Sequence, residues 1–130
     1  MDDLPLVHVV DDEESVRKSL SFLLKTSHYR AQCWASGSAF LKDVDRSEPA
    51  CVLLDIRMPD MDGIELQEKM NGHGIGLPVI MLTGHGDVSL AVRAMKAGAV
   101  DFLEKPFDRQ KLLNAIDRAF AQLADAEARR

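Results

Sequence analysis

The chain has 130 residues, enough for one domain with a proper core, and its 46% hydrophobic and 28% charged content is that of an ordinary globular protein. A net charge of -5, from 16 basic and 21 acidic side chains, argues against direct nucleic-acid binding through a basic face. No apolar run approaches the roughly 20 residues of a membrane helix. The opening Met1-Asp2-Asp3-Leu4-Pro5 lacks the regions of a signal peptide, so a cytoplasmic protein without membrane contact is expected.

In chain order, Leu6 to Val10 reads as a strand running into Asp11-Asp12-Glu13-Glu14. Ser15 to Ser27 carries Val16, Leu20, Leu23 and Leu24 at helical spacing, with Glu13 and Glu14 near the positive end of its dipole. Tyr29 to Ala35 is a more polar strand, and Ser36 is placed to cap a short helix that turns Phe40, Leu41 and Val44 inward. Ala50 to Leu54 is a third strand, and Gly63 to Met70 a short helix with Ile64, Leu66 and Met70 apolar. A loop over 71–78 leads to a fourth strand, Val79 to Leu82. Val88 to Ala97 is a helix that Gly98 terminates. Ala99 to Leu103 is the fifth strand. Asp108 caps a last helix bearing Leu112, Leu113, Ile116, Ala119, Phe120 and Leu123. Cys33 and Cys51 lie in strand-like runs without metal-ligand spacing, so buried reduced thiols are expected, with a disulfide as the alternative.

Five alternating strand-helix units imply an α/β protein whose parallel sheet is covered on both faces. A closed eight-unit barrel needs about 250 residues. The expected architecture is therefore the flavodoxin-like (βα)5 doubly wound sheet, with strand order 2-1-3-4-5. Its switch point between strands 1 and 3 brings Asp11 and Asp12 beside Asp55. The domain is expected over 1–123, with Ala124 to Arg130 a frayed helix end or the start of a linker.

The stretch Val52-Leu53-Leu54-Asp55 empties into Ile56-Arg57-Met58-Pro59-Asp60-Met61-Asp62-Gly63, a turn-rich segment. Taken alone, Asp55 reads equally as a helix cap or as a functional acid at the carboxyl end of a strand. The other strand ends break the tie, supplying Asp11, Asp12, Thr83 and Lys105. Three crowded carboxylates repel one another, and a hard divalent cation such as Mg²⁺ removes the conflict with oxygen ligands alone. Asp55 can then act as nucleophile and form an acyl phosphate. Asp11, Asp12 and Asp55 would hold Mg²⁺. Lys105, the Thr83 hydroxyl and the backbone N-H groups of Ile56 and Gly84 would stabilise the phosphoryl oxygens.

Asp11-Asp12, Asp55 with Met58-Pro59 and Gly63, Thr83-Gly84 and Lys105-Pro106-Phe107 together resemble the receiver domain of two-component response regulators. Val7 to Glu13, Arg57 to Met61, Thr83 to Asp87 and Met95 to Phe107 resemble the FixJ-type receivers, and the likeness covers roughly residues 6–123. The resemblance implies that Asp55 is the phosphoacceptor for a histidine kinase, and that the Arg57 backbone carbonyl joins the three acids as a Mg²⁺ ligand. It also implies that Thr83 and Phe102 form a switch pair and that the Lys105-Pro106 bond is cis. Movement of Thr83 toward the phosphoryl group would vacate space for Phe102. The face of the fourth helix, fifth strand and fifth helix, including Val92, Arg93, Lys96, Arg118 and Gln122, would then form a phosphorylation-dependent homodimer. The chemistry is self-modification, so the domain is not an enzyme that turns over a substrate. The FixJ likeness and the Glu127-Ala128-Arg129-Arg130 end favour a piece of a transcription factor, with a DNA-binding output domain elsewhere, over a stand-alone receiver.

Competing readings are weaker on stated grounds. A flavin binder would not place Asp11-Asp12-Glu13-Glu14 where a phosphate loop belongs. A phosphohydrolase with an aspartyl intermediate would carry an acid two residues beyond the nucleophile, where this chain has Arg57. A receiver that docks partners without being phosphorylated is the third alternative. Asn71-Gly72-His73-Gly74-Ile75-Gly76 precedes a strand and reads as a flexible turn, not a nucleotide loop. Asp60-Met61-Asp62-Gly63 reads as a turn and helix cap, because it lacks the downstream glutamate of a calcium loop. His85 is the one histidine near the site, where it could affect the access of hydrolytic water.

Overall fold

Continuous apolar runs in β1 (Leu6–Val10), β3 (Ala50–Asp55) and β4 (Val79–Thr83) are fully buried, as strands covered on both faces must be. The computed structural model describes residues 3–84 and 87–129. Five parallel strands pair in the order β2-β1-β3-β4-β5, with β2 at Arg30–Trp34 and β5 at Asp101–Glu104. The half-exposed composition of β2 follows from its place at the open edge. The helices are α1 (Glu14–Thr26), α2 (Gly37–Asp43), α3 (Gly63–Gly72), α4 (Val88–Lys96) and α5 (Arg109–Ala128). No described helix is long and apolar enough to cross a membrane.

Alternation along the strands sorts the core into two layers. Val7, Val9, Leu53, Ile80 and Leu82 meet Leu20 and Leu24 of α1 and Leu112 and Ile116 of α5. Val10, Val52, Leu54 and Met81 meet Phe40, Ile64, Leu66, Met70 and Ala94 from α2, α3 and α4. Burying one such side chain contributes roughly 1.5–3 kcal/mol, so both layers are needed to offset the ordering of the chain.

Several boundaries differ from the sequence expectation. The fifth strand starts at Asp101 instead of Ala99, because Gly98 takes a φ of +107° and the Ala99 N-H donates to Ala94 O at 3.0 Å, closing the end of α4. Helix α3 continues to Gly72, and Gly74 at φ +71° then makes the turn. Helix α5 runs through Ala124 to Ala128. Both cysteines are free as expected, but Cys33 is exposed and only Cys51 is buried, because β2 is the edge strand.

Candidate functional site at the strand ends

Parallel register brings the expected acids together. Val10 pairs with Leu54, so the residues that follow them, Asp11 and Asp55, leave the sheet side by side. One carboxylate oxygen from each of Asp11, Asp12 and Asp55 lies within 4.8 Å of the others. Asp11 is fully buried, Asp55 is 5% exposed and Asp12 faces solvent. This all-oxygen, partly open donor set fits a hard divalent cation.

Lys105 enters from the far side of the sheet. Its N-H donates to Thr83 O at 2.8 Å, and its peptide bond to Pro106 is cis. The ammonium Nζ donates to Asp11 Oδ2 at 3.1 Å and to Asp55 Oδ1 at 3.2 Å. Burial and the neighbouring Asp11 charge push the Asp55 carboxyl up to about 6, against the opposing pull of Lys105 and of the Arg57 N-H. Burial works to lower the Lys105 ammonium, but Asp55 and Asp11 outweigh it and the net shift is upward. The site thus holds an ionised carboxylate under electrostatic load, with one cation to share between two acids.

The turn after Asp55 is shaped by contact. A Cβ on Gly63 would stand 2.5 Å from Asp55 O and 2.9 Å from Ile56 Cα, so no larger residue fits where α3 begins. The Gly63 N-H donates to Ile56 O at 2.8 Å, and Asp62 caps α3 by accepting from the Glu65 N-H at 2.7 Å. Asp60-Met61-Asp62-Gly63 is accordingly a turn and cap.

Two expected donors need restating. The Ile56 N-H donates to Leu82 O at 2.9 Å, extending the β3-β4 ladder, so it is not free to meet a phosphoryl oxygen. The Arg57 N-H turns to Asp55 Oδ1 instead, at 3.4 Å. The Thr83 hydroxyl donates to Leu103 O at 3.3 Å, toward β5. Phe102 is half-buried against the α2–α4 layer, opposite Met81 in the register. Gly84 lies near the Asp87 carboxylate, and His85 falls outside the described residues.

Sequence reasoning missed one pair altogether. Arg57 donates from Nε to Asp87 Oδ2 at 2.9 Å and from Nη2 to Asp87 Oδ1 at 2.6 Å, a two-pronged bridge between the turn after β3 and the start of α4. Only a bidentate-capable cation beside Asp55 and an acid at a helix start hinted at it.

The chain matches the model of the response regulator receiver domain over residues 7–117. It belongs to that family. The receiver is 48% identical to the transcriptional regulatory protein FixJ of Rhizobium meliloti (strain 1021) over 122 residues, 94% of this chain and 60% of that one. It is 44% identical to the response regulator protein TodT of Pseudomonas putida, over 92% of this chain and 52% of the relative. The receiver thus spans about half to three fifths of these relatives. Among solved structures, the response regulator StyR matches at a TM-score of 0.91 and 42% identity, covering 98% of this chain and 64% of that one. FixJ-N matches at 0.80 and 47%, covering 88% and 92%.

Proposed function

We propose that this receiver is a phosphorylation-dependent switch in which Asp55 accepts a phosphoryl group from a histidine kinase. The observation that carries this reading is the meeting of three strand ends, with the Asp11, Asp12 and Asp55 oxygens within 4.8 Å and the Lys105 ammonium 3.2 Å from the nucleophile. Mg²⁺ would be held by Asp11, Asp12, Asp55 and the Arg57 carbonyl, and when bound it neutralises charge building on the transferring group. The Lys105 and Arg57 donors both fall on Asp55 Oδ1, so we assign the attack to Oδ2. A new O-P bond forms there as the P-N bond to the kinase imidazole breaks, and the imidazole nitrogen keeps the electron pair. Lys105, Thr83 and the backbone N-H groups of Arg57 and Gly84 serve the phosphoryl oxygens.

The output side follows from the same geometry. Drawing the Thr83 hydroxyl from Leu103 O toward Asp55 would open room for Phe102 and change the face of α4, β5 and α5. That face exposes Val88, Val92 and Met95, with Arg118 ion-paired to Asp101. It suits a phosphorylation-dependent homodimer, which in a longer cytoplasmic protein would set the activity of a DNA-binding output domain. The domain modifies only itself, so no separate substrate is turned over.

Phos-tag electrophoresis with acetyl phosphate and Mg²⁺ tests the assignment. The wild type should shift and Asp55→Asn should not, and chelation of the metal should abolish the shift. An unshifted wild type with both a small donor and a kinase would overturn it. An equal oligomeric state with and without beryllofluoride would remove the dimer.

A further inference from the structure

Four helices in this receiver have a side chain suited to capping at the residue before their first turn, and three of them use it. Ser36, Asp62 and Asp108 each accept from the third helical N-H, of Ala39, Glu65 and Lys111 respectively, and all three have extended backbones with ψ between 136° and 165°. Asp87 at the start of α4 is the exception. Its ψ is 42°, it makes no cap bond, and both of its carboxylate oxygens are held by the Arg57 guanidinium, with the Gly84 N-H also directed at this carboxylate. An acid at this position has two alternative sets of donors, and it cannot satisfy both.

We propose that Asp87 is a two-position acid, exchanging between Arg57 and the first turn of α4, and that this exchange couples the state of Asp55 to α4. The coupling rests on the phosphoacceptor reading of Asp55; the exchange itself does not. Arg57 lies two residues beyond Asp55, and its N-H already faces that carboxylate. A phosphoryl group on Asp55 would bring about -1.5 to -2 charges and three acceptor oxygens to this turn. A planar guanidinium binds phosphate bidentately at least as well as carboxylate, so the modified Asp55 competes with Asp87 for it. Asp87, released, rotates to extended backbone and accepts from the Ser89 or Leu90 N-H. Helix α4 then starts with a different tilt and a firmer first turn, on the face that carries Val88 and Val92. The Arg57 side chain is 68% exposed and the Asp87 side chain 13%, so the guanidinium has room to swing while the acid stays close to the helix.

The exchange itself can be read without any phosphate. In the unmodified protein, Arg57→Ala should free Asp87 and slow amide exchange at Leu90 or Ser89 about fivefold, as measured by NMR. The double variant Arg57→Ala with Asp87→Ala should return those amides to the wild-type rate. Unchanged or faster exchange in Arg57→Ala would overturn the two-position acid. In a second arm, beryllofluoride with Mg²⁺ should slow the same amides in the wild type but not in Asp87→Ala. If Asp55 is shown to be modified while Leu90 and Ser89 stay at their original rates, the coupling is overturned and the phosphoacceptor reading stands. If Asp55 takes no phosphoryl group at all, the phosphoacceptor reading fails and the coupling with it, while the first arm still decides the exchange.

Discussion

On one side of the sheet, Val7, Val9, Leu53, Ile80 and Leu82 pack against α1 and α5 as an aliphatic layer. On the other side the layer under α2, α3 and α4 includes Met58, Met61, Met70 and Met81, and it buries His8, Gln67 and Thr83 as well. Among the described residues, His8 Nε2 and Gln67 Oε1 have no hydrogen-bond partner. Branched aliphatics hold one well-defined arrangement, whereas unbranched thioethers refill altered space at little cost. The difference teaches where motion is tolerated. The α1–α5 side anchors the acids, and the methionine-rich side is the one suited to repack if Thr83 and α4 move as the proposed switch requires.

The strongest way to break this contrast is Leu53→Ala in the anchoring layer. A fully buried leucine replaced by alanine costs about 3–5 kcal/mol, read by urea denaturation. A loss below about 1 kcal/mol would show that this layer collapses as easily as the other.

The next effect uses His8. Burial pulls its imidazole down to about 4, against the raising influence of Glu48 and Asp45, while Trp34 Nε1 donates to its Nδ1 at 3.0 Å. The folded state therefore keeps His8 neutral, and the unfolded chain takes the proton first. Stability linked to His8 is complete above pH 6.5 and falls as the pH drops from 6.5 through about 4. The total is on the order of 3 kcal/mol. The stability difference between wild type and His8→Val should shift by that amount across the window, and a parallel pair of pH curves would remove His8 from the account.

Asp55→Asn is expected to stabilise the fold by about 2 kcal/mol at pH 7.5 in chelator, because it removes a buried charge facing Asp11. Its sign is opposite to that of His8. The raised Asp55 carboxyl weakens the wild-type fold above its value of about 6, and that penalty fades as the pH falls toward 3.8. A less stable Asp55→Asn protein would mean that the attraction of Lys105 outweighs burial. The smallest effect is Met81→Leu, expected to cost under about 1.5 kcal/mol in thermal denaturation. A larger cost would mean that the methionine layer is as particular as the aliphatic one.

The strand order, the five units and the assembly of Asp11, Asp12, Asp55 and Lys105 were legible in the sequence, because buried parallel strands announce themselves as apolar runs. What escaped depends on register and on distant pairing. The Ile56 N-H looked available because nothing local shows that β4 reaches far enough for Leu82 O to accept it. The Arg57–Asp87 bridge joins residues thirty positions apart, and each had an adequate local role, one as a turn residue and the other as a helix start. Cys33 is exposed because β2 is an edge strand, a consequence that the expected order 2-1-3-4-5 already contained but that its strand-like run of neighbours masked.

The contact at Gly63 gives the receiver a fulcrum. With no room for even a Cβ beside the Asp55 carbonyl, and with the Gly63 N-H bonded to Ile56 O at 2.8 Å, α3 is seated directly on the backbone of the proposed phosphoacceptor. Under the proposed switch, a push generated at Asp55 would therefore not be absorbed by the helix that follows it in sequence. It would pass instead across the sheet, to the neighbouring strand and α4, on the side where the methionines lie. Direction in such a signal would come from one helix being pinned as much as from another being able to move.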